Sequence, residues 1–155
     1  MNLFKRILLV EDSLRDTELI LAALAENHLA NEVVSVRDGA EALDYLYRRE
    51  QYSGRSNGQP AMILLDLKMP RVDGMEVLRQ IKGDAALKII PVIVMTSSRE
   101  EQDLLRTYQL GANAYVVKPL TFTEFMGAVT KLGAFWAIVN VPPPGSEAPP
   151  ISSSS

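Results

Sequence analysis

Short runs of apolar residues alternate with longer segments in which apolar residues recur every three or four positions, and this alternation is repeated five times. The short runs predict strands and the longer segments predict helices. The predicted strands lie at about residues 5–10, 32–37, 61–66, 90–95 and 114–117. An alternating order of strands and helices is typical of a parallel sheet covered by helices on both faces. The pattern therefore predicts an α/β protein.

The starts of three predicted helices carry capping residues, in which a hydroxyl is followed three positions later by an acid. These pairs are Ser13 with Asp16, Ser97 with Glu100, and Thr121 with Glu124. They begin the first, fourth and fifth predicted helices, and the fourth is expected to end at Gly111. Between the second helix and the third strand, the polar segment 48–60 predicts an extended, solvated loop.

The fifth predicted helix has more apolar residues than one face can bury. One stripe, made of Phe125, Val129, Leu132 and Trp136, can pack on the sheet. The other apolar residues would be exposed in a monomer, and exposed apolar patches often mark interfaces. We therefore expect a homodimer or partner face formed by Phe122, Met126, Phe135, Trp136 and Ile138.

The chain divides into one domain and a short tail. With 47% hydrophobic residues, residues 1–141 are expected to form a single domain with an extended fifth helix. Residues 142–155 are rich in proline and serine and are expected to be disordered. No apolar run reaches the roughly 20 residues that a membrane helix needs, so no membrane association is expected.

Charge and cysteine content narrow the possible functions. The net charge is −3, and no stripe of lysine and arginine with interleaved aromatic residues favours direct binding of nucleic acid. The absence of cysteine excludes disulfides, thiolate metal sites and a cysteine nucleophile. It is compatible with a reducing compartment, and a cytoplasmic location is expected.

Polar side chains with complementary chemistry follow four of the predicted strands. They are Glu11 and Asp12 after the first, Asp66 at the end of the third, Thr96 after the fourth, and Lys118 after the fifth. Open α/β sheets bind ligands at the carboxyl ends of their strands. An acid at the end of a buried strand also costs free energy unless a cation or a reaction uses it. The pattern therefore predicts a phosphoryl or metal site.

The residue types indicate how such a site would work. Mg²⁺ takes oxygen ligands and needs only one or two carboxylates, which Asp12 and Asp66 can supply, while Glu11 can reach it through water. Phosphoryl transfer onto Asp66 would give an aspartyl phosphate. Lys118 and Thr96 would then hold the phosphoryl oxygens. Each residue alone has an ordinary structural explanation, but together they predict a switch operated by phosphorylation.

At the level of motifs, the chain resembles the receiver domain of two-component response regulators. The matching segments are residues 7–13, 64–70, 73–74, 94–97, 111–115 and 117–120. The resemblance extends from residue 5 to about residue 137. It implies a flavodoxin-like (βα)₅ doubly wound parallel sheet with the strand order 2-1-3-4-5.

The resemblance also implies roles for individual residues. Asp66 would accept phosphate from a histidine kinase, and the Lys68 carbonyl would join Asp12 and Asp66 in binding Mg²⁺ or Mn²⁺. The bond before Pro119 would be cis. Ser97 stands where the family often has alanine, and it is small enough to leave the phosphoryl group access as a phosphoryl-binding residue.

The signalling route implied by the family begins with Thr96, whose hydroxyl moves toward the phosphoryl group while Tyr115 turns inward. This motion would change the face formed by the fourth helix, fifth strand and fifth helix. The chain is expected to be a stand-alone receiver that catalyses only its own phosphotransfer and slow autodephosphorylation. The long polar loop and the Phe135-Trp136 ending are similar to small response regulators paired with bacterial and cyanobacterial phytochromes, which implies a phytochrome sensor histidine kinase as partner.

Three other functions remain open from the residues. A haloacid-dehalogenase-type phosphatase needs a second acid two residues after its nucleophile, where this chain has Lys68. A flavodoxin-like FMN protein needs a phosphate-binding loop where this chain has Glu11 and Asp12. A phosphorylation-independent adaptor of the same fold is the main alternative.

Overall fold

The protein folds around one parallel five-stranded sheet. A computed structural model describes residues 6–26, 32–67, 69, 72–96, 109–111, 114–118 and 121–133. The strands are β1 (Arg6–Val10), β2 (Glu32–Val36), β3 (Met62–Asp66), β4 (Val92–Thr96) and β5 (Ala114–Val117). Their order is β2-β1-β3-β4-β5, which confirms the predicted strand order and fold class.

Three of the described helices lie between strands in the chain and one follows the last strand, as the alternating pattern predicts. They are α1 (Leu14–Glu26), α2 (Gly39–Tyr47), α3 (Gly74–Gly83) and the C-terminal helix (Phe122–Leu132), with a short 3₁₀ turn at Glu50–Tyr52. The predicted start of the fourth helix, including Ser97 and Glu100, lies outside the described residues. None of the described helices combines the length and apolarity that crossing a bilayer requires.

Two apolar clusters form the core, one on each face of the sheet. Successive residues of a strand point to opposite faces, so Leu8 of β1 belongs to one cluster and Leu9 to the other. The first cluster includes side chains of α2 and α3, and the second includes side chains of α1 and the C-terminal helix. Strands β1, β3 and β4 are buried along their whole length, which is why they appear in the sequence as continuous apolar runs.

The described C-terminal helix begins and ends at capping residues. Its N-cap is Thr121, whose hydroxyl accepts the Glu124 N–H at 3.1 Å as predicted. After Leu132, Gly133 adopts a left-handed conformation with φ of 65°, and its N–H bonds back to carbonyls of the last turn. Glycine in this conformation is a common helix terminator. Gly133 therefore ends the described helix, and residues 134–141, which the prediction places in its extension, lie outside the described residues.

The apolar residues of this helix differ in burial. Phe125 and Val129 are buried and Leu132 packs against the same cluster, which agrees with the predicted stripe. Met126 packs partly against the same cluster and is half-buried, and its place in the predicted partner face stays a prediction. Phe122 is 43% exposed. Phe135, Trp136 and Ile138 lie outside the described residues.

The segment 48–60 is a mostly exposed loop with one short 3₁₀ turn, as predicted, and hydrogen bonds hold it to α2. Arg55 organises it by donating two hydrogen bonds to the Tyr45 carbonyl, at 3.1 and 2.8 Å, and further bonds to Gly58 and Gln59. The Arg55 guanidinium also lies 3.9 Å from the centre of the Tyr45 ring. The sequence does not predict these hydrogen bonds, because they depend on one long side chain reaching a helix carbonyl.

Candidate functional site

The predicted site residues lie together at the carboxyl edge of the sheet. Glu11 and Asp12 follow β1, Asp66 ends β3, Thr96 ends β4, and Lys118 follows β5. Parallel pairing aligns the strand ends, since Asp66 is opposite Met95 in the register. The Lys118 N–H also donates to the Thr96 carbonyl at 2.9 Å, which fixes the end of β5 against β4.

Three carboxylates form the acidic part of the site. One oxygen each from Glu11, Asp12 and Asp66 lies within 4.8 Å of the other two. Glu11 is 1% exposed and Asp66 4% exposed, while Asp12 is open to solvent. Close like charges with little water repel one another, and a hard cation with oxygen ligands relieves that repulsion. The donor set therefore fits a Mg²⁺ or Mn²⁺ ion.

Lys118 supplies the positive charge of the site. Its Nζ lies 2.7 Å from Glu11 Oε1, 3.0 Å from Asp16 Oδ2 and 3.5 Å from Asp66 Oδ2. Burial by itself would lower the pKa of Lys118, but the close contact with Glu11 and the charges of Asp66 and Asp16 together raise the pKa above its ordinary value. The side chain therefore remains a charged donor next to Asp66 at neutral pH.

Asp16 is the contact that sequence reasoning missed. The sequence pattern identifies it only as the partner of Ser13 at the start of α1, and that interaction is present because the Asp16 N–H donates to Ser13 Oγ at 3.1 Å. The Asp16 side chain has a second role in contacting Lys118. A signal was available, since Asp16 follows Asp12 by four residues, about one helical turn, at the same edge of the sheet.

The backbone after Asp66 passes very close to the start of α3. The Gly74 N–H donates to the Leu67 carbonyl at 2.9 Å. A Cβ at Gly74 would lie 2.3 Å from the Asp66 carbonyl oxygen, so no larger residue fits without displacing this segment. Asp73 caps α3 by accepting the Glu76 N–H at 3.0 Å. Lys68, between these points, lies outside the described residues.

The two residues of the predicted switch lie on the neighbouring strands β4 and β5. Thr96 is completely buried at the end of β4. Tyr115, on the neighbouring strand β5, is half-buried and packs against the core cluster that includes α2 and α3. The predicted phosphoryl-binding residue Ser97 and the predicted cis-proline Pro119 lie outside the described residues. Among the described residues, the structure therefore brings Glu11, Asp12, Asp66, Thr96 and Lys118 to one edge.

A site of carboxylates and a lysine at the carboxyl edge of a five-stranded parallel sheet is typical of one family of domains. Residues 7–130 match the family model of the response regulator receiver domain, so the chain belongs to that family. Receiver domains are signalling domains that interact with histidine kinases rather than enzymes of metabolism. The match confirms the resemblance to receiver domains and disfavours the phosphatase and FMN-protein alternatives.

Among the relatives are several response regulators, some of which are named as regulators of phytochromes. The bacteriophytochrome response regulator RtBRR is 56% identical, with a TM-score of 0.80, and the match covers 92% of this chain and 86% of that one. The response regulator Rcp1 of Synechocystis sp. PCC 6803 is 38% identical over 85% of this chain and 88% of its own length. The phosphorylated cyanobacterial phytochrome response regulator RcpA is 40% identical, with a TM-score of 0.73, and the match covers 94% and 99% of the two chains.

Proposed function

We propose that this protein is a stand-alone receiver that accepts a phosphoryl group from a histidine kinase on Asp66. The observation that carries the proposal is the position of Asp66, at a strand end between two further carboxylates and the ammonium of Lys118. A buried acid in this setting is stabilised only if a cation or a reaction uses its charge. The phosphorylated relative RcpA supports the same assignment.

A divalent ion would be held by Asp12, Asp66 and the Lys68 carbonyl, with Glu11 reaching it through water. The cluster of three carboxylates supports a divalent ion at this site. The relative Rcp1, which has a Mn²⁺-bound form, supports it as well. When bound, Mg²⁺ or Mn²⁺ supplies positive charge that neutralises the phosphoryl oxygens.

The transfer itself uses the side chains of this chain. An Asp66 carboxylate oxygen attacks phosphorus, the new O–P bond forms, and the bond from phosphorus to the donor breaks with its electron pair leaving on the donor. Lys118 and Thr96 donate hydrogen bonds to the phosphoryl oxygens, and Ser97 would be a further phosphoryl-binding residue. Slow autodephosphorylation, in which water attacks phosphorus, returns the free Asp66 carboxylate.

The signal would leave through Thr96 and Tyr115. Movement of the Thr96 hydroxyl toward the phosphoryl group leaves space that Tyr115 fills by turning inward, which alters the surface of β5 and the helices beside it. The half-buried position of Tyr115 supports this route, because such a side chain has room to move in either direction. An ordinary structural role for Tyr115 would leave that surface unchanged.

The partners follow from the relatives and from the remaining apolar surface. A phytochrome histidine kinase is the proposed donor, because RtBRR and RcpA are both response regulators of phytochromes. Residues 1–141 would form the receiver and residues 142–155 a disordered tail in the cytoplasm. A homodimer or partner face would include Phe122, with Phe135, Trp136 and Ile138 nearby in sequence.

Incubation with acetyl phosphate and Mg²⁺, followed by intact mass spectrometry, tests the central proposal. The wild type should gain one phosphoryl group, and Asp66→Asn should gain none. Asp73→Asn is a matched control, because asparagine preserves the cap of α3 while removing a neighbouring charge. No gain in the wild type would favour the phosphorylation-independent adaptor.

Two further measurements test the partners. In a competition assay, a phytochrome kinase should phosphorylate the protein faster than unrelated histidine kinases, and equal rates would count against the pairing. Size-exclusion chromatography with light scattering tests the homodimer. A monomer at high concentration, with and without phosphoryl donor, would exclude it.

A further inference from the structure

Asp16 is a charged residue that the proposed phosphotransfer does not use, although it contacts the ammonium group of the site. Its Oδ2 lies 3.0 Å from Lys118 Nζ, whereas Asp66 Oδ2 lies 3.5 Å away. Glu11 Oε1 lies on the same ammonium at 2.7 Å. In this state Lys118 is therefore shared mainly by Glu11 and Asp16, and Asp66 is its most distant carboxylate partner.

The start of α1 holds the Glu11 carboxylate directly and fixes the backbone that carries Asp16. The Asp16 N–H donates to Ser13 Oγ, and the Ser13 N–H donates to Glu11 Oε2, each at 3.1 Å. Side-chain exposure is 13% for Lys118 and 32% for Asp16, so water screens their contact less than it screens a fully exposed pair. The contact is part of a connected structure that joins α1 to the end of β5.

We infer that Asp16 is a positioning residue that holds Lys118 toward α1 and competes with the phosphoryl group for its ammonium. The inference rests on the proposed function. A phosphoryl group on Asp66 needs Lys118 to move closer, and the Asp16 contact opposes that movement. Before phosphorylation the same contact holds the ammonium nearer to Asp16 than to Asp66, which leaves the Asp66 carboxylate more available to a divalent cation.

Replacing Asp16 by a neutral residue should therefore change two affinities in opposite directions. In Asp16→Asn, Mg²⁺ should bind more weakly, because Lys118 moves toward the carboxylates and one negative charge is lost. Beryllofluoride, which mimics a phosphoryl group on a carboxylate, should bind more tightly at saturating Mg²⁺. Each change should be about two- to five-fold, as for a partly exposed ion pair. If Asp16 acted only by stabilising the fold, its replacement would weaken the binding of both Mg²⁺ and beryllofluoride.

The experiment measures Mg²⁺ binding by calorimetry and then beryllofluoride binding at saturating Mg²⁺. Asp16→Ala serves as a second neutral variant, and Asp16→Glu, which keeps the charge, should restore both affinities toward the wild type. Glu18→Gln is the matched control, because it removes a negative charge from an exposed position on the same helix. In a Lys118→Ala background the effect of Asp16→Asn on beryllofluoride should largely disappear, since the interaction it removes is no longer present.

Any one of four results would overturn the inference. They are weaker binding of both ligands in Asp16→Asn, no change in either, equal effects of Glu18→Gln, or an unchanged effect of Asp16→Asn without Lys118. Ligand binding by the wild type shows whether the inference about Asp16 or the proposed function is wrong. If the wild type binds Mg²⁺ and beryllofluoride while Asp16→Asn behaves like it, only the role of Asp16 is wrong. If the wild type binds neither, the phosphoryl site itself is wrong.

Discussion

Replacing Gly74 by alanine should damage both the fold and the site, because the backbone carrying Asp66 passes directly over this glycine. The added Cβ would lie 2.3 Å from the Asp66 carbonyl oxygen and 2.5 Å from the Leu67 Cα. Both are backbone atoms, so neither can rotate away. The segment after β3 and the start of α3 must therefore separate. This separation also strains the hydrogen bond from the Gly74 N–H to the Leu67 carbonyl.

The overlap of the added Cβ with backbone atoms and the strained hydrogen bond both lower the free energy of unfolding. Overpacking a close contact of this kind costs about 1–3 kcal/mol, and loss of one backbone hydrogen bond adds about 1 kcal/mol. We expect the free energy of unfolding to fall by about 2–4 kcal/mol, which lowers Tm by about 4–16 °C for a chain of this size. Displacement of Asp66 should also weaken Mg²⁺ binding.

Thermal unfolding followed by circular dichroism measures this effect, with Gly83→Ala as the matched control. Gly83 is the last residue of the same helix, and a Cβ there would meet no atom within 4 Å. The control should change the free energy of unfolding by less than about 1 kcal/mol, and it should stabilise if it changes anything. Equal Tm values for Gly74→Ala and Gly83→Ala would refute the reasoning.

Three further predictions concern α2 and the segment 48–60. Arg55→Lys keeps the charge but loses the planar set of donors, so its free energy of unfolding in urea should fall by about 1–2 kcal/mol. The control Arg48→Lys, at an exposed position, should lower the free energy of unfolding by less than about 0.5 kcal/mol. Equal decreases in the two variants would contradict the role of Arg55. The buried Tyr45 hydroxyl has no hydrogen-bond partner among the described residues, so Tyr45→Phe should leave Tm unchanged or higher, and a clear fall would show that the hydroxyl is satisfied. Burial and a hydrogen bond to Glu41 raise the pKa of Tyr52 to about 12 from 10.0. This stabilisation is complete below pH 10 and disappears between about pH 10 and 12, so Tyr52→Phe should flatten the fall in stability over that range, and an unchanged slope would exclude Tyr52 as its source.

Much of the fold and the centre of the site could be predicted from the sequence because they depend on short-range patterns. Strands buried on both faces are continuous apolar runs, so β1 and β3 were located to within one residue. Parallel pairing then places the ends of these strands together, and the convergence of Asp12, Asp66 and Lys118 follows from topology without any knowledge of side-chain geometry.

Features that depend on three-dimensional contacts could not be predicted in the same way. The Asp16 carboxylate contacts Lys118 across a separation of 102 residues, while its local pattern indicates only a helix cap. Arg55 orders its segment by reaching the Tyr45 carbonyl, which polar composition does not indicate. Gly133 ends the C-terminal helix, but the apolar residues continue in the sequence on both sides of it. The spacing of apolar residues therefore does not mark the end of the helix.

The chemical identity of the phosphorylated residue tests the central claim most directly. Borohydride reduces an acyl phosphate to an alcohol, so treatment of the phosphorylated protein would convert an aspartyl phosphate to homoserine, which peptide mass spectrometry locates in the chain. We expect homoserine at position 66 only, and only after incubation with phosphoryl donor and Mg²⁺. Homoserine at position 12, or a stable phosphoryl group on a hydroxyl side chain with position 66 unchanged, would contradict it.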